Sequence, residues 1–149
     1  AENLLEYHGN ALKLRCFSCS SRFGRDEFDL EQLIREDQLP PHCPECQGII
    51  KSDTVSFGEP IPGDVARQSL VEADKCDLML ICGTSVVVYP FADLPRIARQ
   101  RRTVTIIEIN AEPTHLTEEG VSNYLIQGKT GEVLPIMVEE VKRLRKELA

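Results

Sequence analysis

Leu78-Met79-Leu80-Ile81-Cys82-Gly83-Thr84-Ser85 is an unbroken apolar run that stops on a glycine and two hydroxyl residues. Five apolar residues without polar alternation fit a strand buried on both faces of a parallel sheet. The same design recurs downstream. Val104-Thr105-Ile106-Ile107-Glu108-Ile109 is a second strand and ends on Asn110. Tyr124-Leu125-Ile126-Gln127 is a third and ends on Gly128-Lys129-Thr130-Gly131. Residues 91–100 read as a helix, with Pro95 as a candidate kink. Upstream, Asp64 is placed to cap a helix reaching about Asp74, with Val65, Leu70, Val71 and Ala73 as its apolar face. The last helix carries Leu134, Met137, Val141, Leu144 and Leu148 at steps of three and four, so its apolar stripe is expected to face the core. Strands alternating with helices predict an α/β fold around a parallel sheet.

Open α/β sheets hold ligands beyond the carboxyl ends of their strands. Here those ends are Gly83-Thr84-Ser85, Asn110 and Gly128-Lys129-Thr130. Gly83 lets backbone amides approach a phosphate, Ser85 offers a hydroxyl, and Asn110 both donates to and accepts from ribose hydroxyls. Each of these is also an ordinary turn residue. Together they point to a nucleotide-type site. No G-x-G-x-x-G and no G-x-x-x-x-G-K-[ST] occurs. Gly58 and Gly63 have the spacing of the latter, but Asp64 stands where its lysine belongs. The chain therefore carries no recognisable pyrophosphate cradle of its own.

The first third of the chain has a different organisation. Cys16-Phe17-Ser18-Cys19 and Cys43-Pro44-Glu45-Cys46 are paired C-x-x-C knuckles, which predict one tetrahedral four-cysteine zinc site. Four thiolates leave no open coordination position, so the metal is structural. The intervening residues 20–42 slightly exceed the usual spacing of about 15–20 residues. Phe28, Leu30, Leu33 and Ile34 fit a short helix packed over the metal. The competing reading is two disulfides or a redox pair. No secretory signal and no apolar stretch of spanning length is seen, so a reducing, cytoplasmic compartment is expected, and it favours metal. His42, beside Cys43, reads as a loop histidine. Cys76 and Cys82 read as small core residues.

Flanking this module, Leu4-Leu5-Glu6-Tyr7-His8-Gly9 looks like part of a strand ending on a His-Gly pair. Gly9 allows close approach to its backbone. His8 taken alone reads as a solvated loop residue. Residues 53–62 read as an extended segment with a partly free edge, closing in a Gly- and Pro-rich loop. The chain of 149 residues carries a net charge of −7. Arg96, Arg99, Arg101 and Arg102 cluster, but carboxylates lie nearby. With 5% aromatics and no Trp, neither a basic nor a base-stacking surface is present, so direct nucleic-acid binding is not expected.

Taken in order, His8-Gly9, the two knuckles, Val55-Ser56-Phe57-Gly58-Glu59, Gly83-Thr84-Ser85, Ile109-Asn110 and Gly128-Lys129-Thr130-Gly131 resemble the C-terminal half of a sirtuin. Sirtuins are NAD-dependent protein-lysine deacylases. The resemblance covers essentially the whole chain. It implies a Rossmann-like parallel sheet with helices on both faces (residues 1–12 and 52–149) and an inserted four-cysteine zinc module (13–51). It further implies that His8 is the catalytic base. In the family the acyl-lysine carbonyl oxygen attacks C1′ of the nicotinamide ribose and expels nicotinamide. The histidine then helps deprotonate a ribose hydroxyl, and the acyl group passes to ADP-ribose.

By the same resemblance, Val55, Phe57, Gly58 and Glu59 pair with the backbone of the acyl-lysine peptide, with Val88 on its other side. Pairing through main-chain bonds gives loose sequence specificity. Gly83, Thr84, Ser85, Asn110, Lys129 and Thr130 match positions around the adenosine half of NAD, and Cys16, Cys19, Cys43 and Cys46 match the zinc ligands. Ser52 departs from the family, which usually has Pro there. The family's N-terminal half, with its phosphate loop and nicotinamide-covering segment, has no counterpart here. It is expected in cis or in trans, and the 149 residues alone are expected to be inactive. No membrane association is expected. The alternative is a non-catalytic, zinc-stabilised module that binds peptides or nucleotides.

Overall fold

Six short strands form two separate three-stranded sheets in the computed structural model, which describes residues 3–101 and 103–148. Arg102, one of the clustered arginines, lies outside the described residues. The chain divides into two compact units, residues 1–68 and 69–149.

In the first unit, β1 (Lys13–Cys16) is the centre of an antiparallel sheet, flanked by β2 (Arg22–Gly24) and β3 (Ile50–Ser52). The register pairs Leu14 with Phe23 and with Ser52, and Cys16 with Ile50. Its core is small: Leu14, Cys16, Phe23, Cys43 and Ile50, with Phe28 packed against it. Between β2 and β3 a 3-10 turn (Arg25–Glu27) precedes α1 (Leu30–Arg35), which Asp29 caps by accepting from the Gln32 amide. The expected helix is therefore shorter, and Ile34 is exposed rather than packed. Phe28 makes the inward contact, edge-on to Phe23 at 5.5 Å between ring centroids.

Two expected extended segments are not strands. Residues 4–10 contain a turn, because the Gly9 amide donates to the Glu6 carbonyl at 2.9 Å. Residues 53–62 contain bends and a second turn, in which the Glu59 amide donates to the Ser56 carbonyl at 3.0 Å. α2 (Gly63–Lys75) follows, with Asp64 in its first turn. Val65, Ser69 and Ala73 form its buried face, whereas Leu70 and Val71 are exposed.

In the second unit, β4 (Leu78–Cys82), β5 (Thr105–Asn110) and β6 (Tyr124–Gln127) form a parallel sheet in the order β4-β5-β6. Side chains alternate across such a sheet. Met79 and Ile81 of β4 are registered with Ile106 and Glu108 of β5 and share one face. That face packs on Ala98 of α3 (Leu94–Arg99) and Leu116 of α4 (His115–Glu118), with Val86, Ala92 and Val104. The expected kink at Pro95 is absent. A 3-10 turn (Phe91–Asp93) leads into α3, and Pro95 sits in the first turn of α3, where its missing N–H removes no helical bond. α5 (Thr130–Glu147) packs on β5, whose alternate face holds the fully buried Ile109.

Burial of β4 on both faces does not occur. Leu78 and Leu80 are 52% and 43% exposed, because β4 is the end of the sheet and pairs only with β5 among the described residues. A cavity of about 310 Å³ runs along this strand, lined among others by Leu80, Cys82, Val86 and Phe91. The stripe on α5 also departs from expectation. Leu134 and Met137 are half-buried, but Val141, Leu144 and Leu148 are exposed. No helix among the described residues is long and apolar enough to cross a membrane.

One buried acidic side chain organises the second unit. Glu108 is 0% exposed, and its carboxylate accepts hydrogen bonds from Thr117 Oγ1 and Ser122 Oγ (both 2.6 Å) and from Thr114 Oγ1. Replacing Glu108 with Ala leaves these donors without their acceptor and is expected to cost about 1–3 kcal/mol. Urea unfolding followed by circular dichroism measures this.

Candidate functional site

The two C-x-x-C segments fold into the same turn twice. In the first, the Ser20 amide donates to the Cys16 carbonyl (3.1 Å) and the Cys16 amide to the Ser21 carbonyl (2.9 Å). In the second, the Gln47 amide donates to the Cys43 carbonyl (2.9 Å) and the Cys43 amide to the Gly48 carbonyl (2.7 Å). Ser20 and Gln47 accordingly share a left-handed backbone, at φ 65° and 61°. The amides of Ser18 and Cys19 donate to Cys16 Sγ at 3.4 and 3.5 Å.

All four sulfurs of Cys16, Cys19, Cys43 and Cys46 lie within 4.8 Å of one another. Cys16–Cys46 is 3.4 Å and Cys19–Cys43 is 3.7 Å. A tetrahedral ion with Zn–S bonds of about 2.3 Å separates its sulfurs by about 3.8 Å, so the donor set and its spacing fit zinc. None of the six cysteines is in a disulfide. His42 is not part of the cluster; its Nδ1 donates to the Gln47 carbonyl at 2.9 Å.

His8 sits exposed at the tip of the turn 6–9, with its ring edge-on to the buried Tyr7 at 5.3 Å. Gly9 follows at φ +74°, and a Cβ there would lie 1.8 Å from the Asp53 carbonyl oxygen. The close approach that Gly9 permits is thus made by the chain just before the loop 55–59. The Val55 amide donates to the His8 carbonyl at 2.9 Å, so histidine and loop are joined through their main chains. Phe57 is 97% exposed and Gly58 has φ +85°. Glu59 closes the loop on itself, accepting from the Ser56 amide at 3.0 Å and pairing with Lys51 Nζ at 2.9 Å. Lys51, and then the Ser56 amide, hold the Glu59 carboxyl below its ordinary range.

In the second unit the ladder of the parallel sheet continues past the strands. The Gly83 amide donates to the Ile109 carbonyl and the Gly128 amide to the Asn110 carbonyl, both at 3.0 Å. Gly83, Asn110 and Thr130 are thereby brought to one edge, where Thr130 Oγ1 would stand 3.3 Å from a Cβ on Gly83 (φ +59°). Thr84 Oγ1 accepts from the Val86 amide at 3.2 Å and shapes the loop after β4. Ser85 and Asn110 line a depression of about 220 Å³ with Glu112, Thr114, His115 and Glu118 among others. Asn110 Nδ2 donates to the Glu112 carbonyl at 2.9 Å. Lys129 caps α5, with its ammonium 3.6 Å from Glu132. Val88 is half exposed in the loop before α3.

Sequence reasoning missed the loop 111–118, which forms the far wall of this depression. Its signals were present: Thr114 and Thr117 flank a helix start as a capping pair, and Glu108 is a lone carboxylate inside an apolar strand. Substituting Cys46 with Ser is expected to lower the zinc content well below one ion per chain and to unfold β1–β3, since such modules fold on their metal. Metal analysis together with amide exchange checks this, and full zinc in the variant contradicts it.

The description "Sir2 family" matches residues 1–90. The NAD-dependent protein deacylase of Pyrococcus furiosus is 38% identical over 98% of this chain and 57% of its own length. NAD-dependent protein deacylase 2 of Archaeoglobus fulgidus is 40% identical over 99% of this chain and 56% of its own. Sir2Af2 bound to a myristoylated histone peptide superposes with a TM-score of 0.70 at 41% identity, covering 96% of this chain and 58% of that one. A Sir2 homolog–NAD complex gives 0.72 at 34% identity, covering 99% and 53%. The chain spans about half the length of the curated relatives it matches. With the family match over more than half of its residues and relatives 38–40% identical over nearly its whole length, the chain belongs to the Sir2 family.

Proposed function

We propose that this chain is the histidine-, zinc- and peptide-bearing portion of an NAD-dependent protein-lysine deacylase. The observation that carries this reading is the hydrogen bond from the Val55 amide to the His8 carbonyl. It makes an exposed imidazole and an exposed loop one mechanical piece, as a base acting beside a bound peptide requires. NAD supplies the ADP-ribosyl acceptor for the acyl group and releases nicotinamide.

His8 is the general base that takes a ribose hydroxyl proton; an imidazole ordinarily changes charge near neutral pH, which suits that task. Val55, Phe57, Gly58 and Glu59 hold the substrate backbone by strand addition, and Val88 is assigned to the same substrate. The Lys51–Glu59 pair keeps that loop closed on itself. Gly83, Thr84, Ser85, Asn110, Lys129 and Thr130 bind the adenosine half of NAD. Support comes from their position at the carboxyl ends of parallel strands, where nucleotides bind. Zinc at Cys16, Cys19, Cys43 and Cys46 is structural. Residues 13–51 act as the zinc module, and 1–12 with 52–149 belong to the NAD-binding body.

The partner in this reading is the remainder of the family's fold, in cis or in trans. The length of the relatives and the unpaired, apolar edge of β4 support it. A cytoplasmic, reducing setting is supported by thiols arranged for a metal rather than for pairing.

Joining the chain to the N-terminal portion of the Archaeoglobus relative, then adding NAD and an acetyl-lysine peptide, tests the reading. Nicotinamide release is expected, with a loss of about 10²–10⁴-fold in His8→Ala. Peptide binding without release, or release unchanged by His8→Ala, rejects the catalytic role. In the same protein Asn110→Ala is expected to weaken NAD binding by about 1–3 kcal/mol. An unchanged dissociation constant removes Asn110 from the site.

A further inference from the structure

We infer that Asp53 is a positioning residue that locks the His8 turn to the peptide-facing loop 55–59, acting through Arg15 and Arg22. The inference rests on the reading of His8 as base and of 55–59 as the peptide loop. Asp53 is 0% exposed, so its side chain offers no surface to a substrate. Its Oδ1 accepts from Arg15 Nε, and Arg15 is itself only 8% exposed in the middle of the sheet. Arg22 Nε lies 3.3 Å from Oδ1 and 3.2 Å from Oδ2.

The main chain of the same residue makes the remaining links. The Asp53 amide donates to the Lys13 carbonyl at 2.9 Å, and its carbonyl accepts from Arg15 Nη2 at 3.3 Å. That carbonyl also fills the space a side chain at position 9 would need. Two residues on, the Val55 amide takes the His8 carbonyl.

Arg22 extends the network to the other end of the histidine turn. Its Nη1 lies 3.8 Å from Glu6 Oε2. Glu6 in turn accepts from Lys13 Nζ at 2.9 Å and Asn10 Nδ2 at 2.5 Å, and its carbonyl closes the turn by accepting from Gly9. One arginine therefore spans the residue that begins the His8 turn and the residue that begins the peptide loop.

A buried ion-pair network is weak evidence for stability, even with Arg22 Nε 3.2 Å from Oδ2. Oδ2 is buried and lacks a hydrogen bond. A carboxylate left partly unsatisfied in the interior is costly, and apolar residues of similar volume often serve stability as well or better. What two guanidinium groups on one carboxylate supply is a fixed geometry, because the forked donors accept few orientations. Here that geometry sets where His8 stands relative to the loop 55–59.

The test uses the full chain with Asp53→Asn, which keeps the size and loses the charge, and Leu14→Val, which weakens the same sheet without touching the network. Zinc content, amide exchange and binding of an acetyl-lysine peptide are measured for both. At matched loss of stability, Asp53→Asn is expected to speed exchange of the Val55 amide about tenfold and weaken peptide binding about tenfold, with Leu14→Val changing neither beyond its global effect. Equal effects from the two variants, or an unchanged Val55 amide in Asp53→Asn, overturn the inference. If Asp53→Asn does not fold, Arg22→Gln, at a partly exposed position, is expected to give the same pattern at about threefold, and its absence overturns the inference. If the wild-type chain binds no peptide, the proposed function is what fails, and Val55 exchange still decides the role of Asp53.

Discussion

A sheet of three strands, none longer than four residues, is held together by four sulfur atoms. Two of the five residues in its core are cysteines of that cluster, and the others are Leu14, Phe23 and Ile50. So little apolar area does not offset the chain entropy of ordering the loops around it, and small modules of this kind need a metal or an equivalent cross-link. The dependence runs outward from there. Cys16 ends β1, β1 carries Arg15, Arg15 holds Asp53, and Asp53 lies against Gly9 beside His8. A structural ion at the thiol cluster would thus fix where an exposed imidazole stands.

The second unit solves its positioning problem by backbone. Parallel strands end in register, and their ladder runs on into the loops through the Gly83 and Gly128 amides. Asn110 therefore owes its place to the sheet rather than to side-chain packing. Its surroundings owe theirs to Glu108, a side chain buried in the sheet that ties down the cap and body of α4 through Thr114 and Thr117 and the chain after it through Ser122. Rigid strands presenting variable loops at one edge are the usual way α/β proteins build a nucleotide site.

Several apolar residues stand uncovered: Leu78 and Leu80 on β4, and Val141, Leu144 and Leu148 on α5. Their spacing is that of interior positions, and this misled the burial expectations for both elements. Periodicity records the environment a sequence is suited to, whereas exposure records what the described residues supply. The two differ where a strand has one neighbour instead of two.

The thiol cluster, the three parallel strands and the residues at which they end were legible in the sequence, because each depends on spacing within a few residues or on runs of one residue type. The turn geometry of residues 6–9 and 56–59 was not, since an apolar or alternating run looks extended until a specific i to i+3 bond closes it. Nor did spacing indicate that Gly9 leaves room for the Asp53 carbonyl, that Arg15 and Arg22 meet on one carboxylate, or that Glu108 gathers hydroxyls from three later positions. Those contacts join residues far apart in the chain, and only closure of the sheets brings them within hydrogen-bonding range.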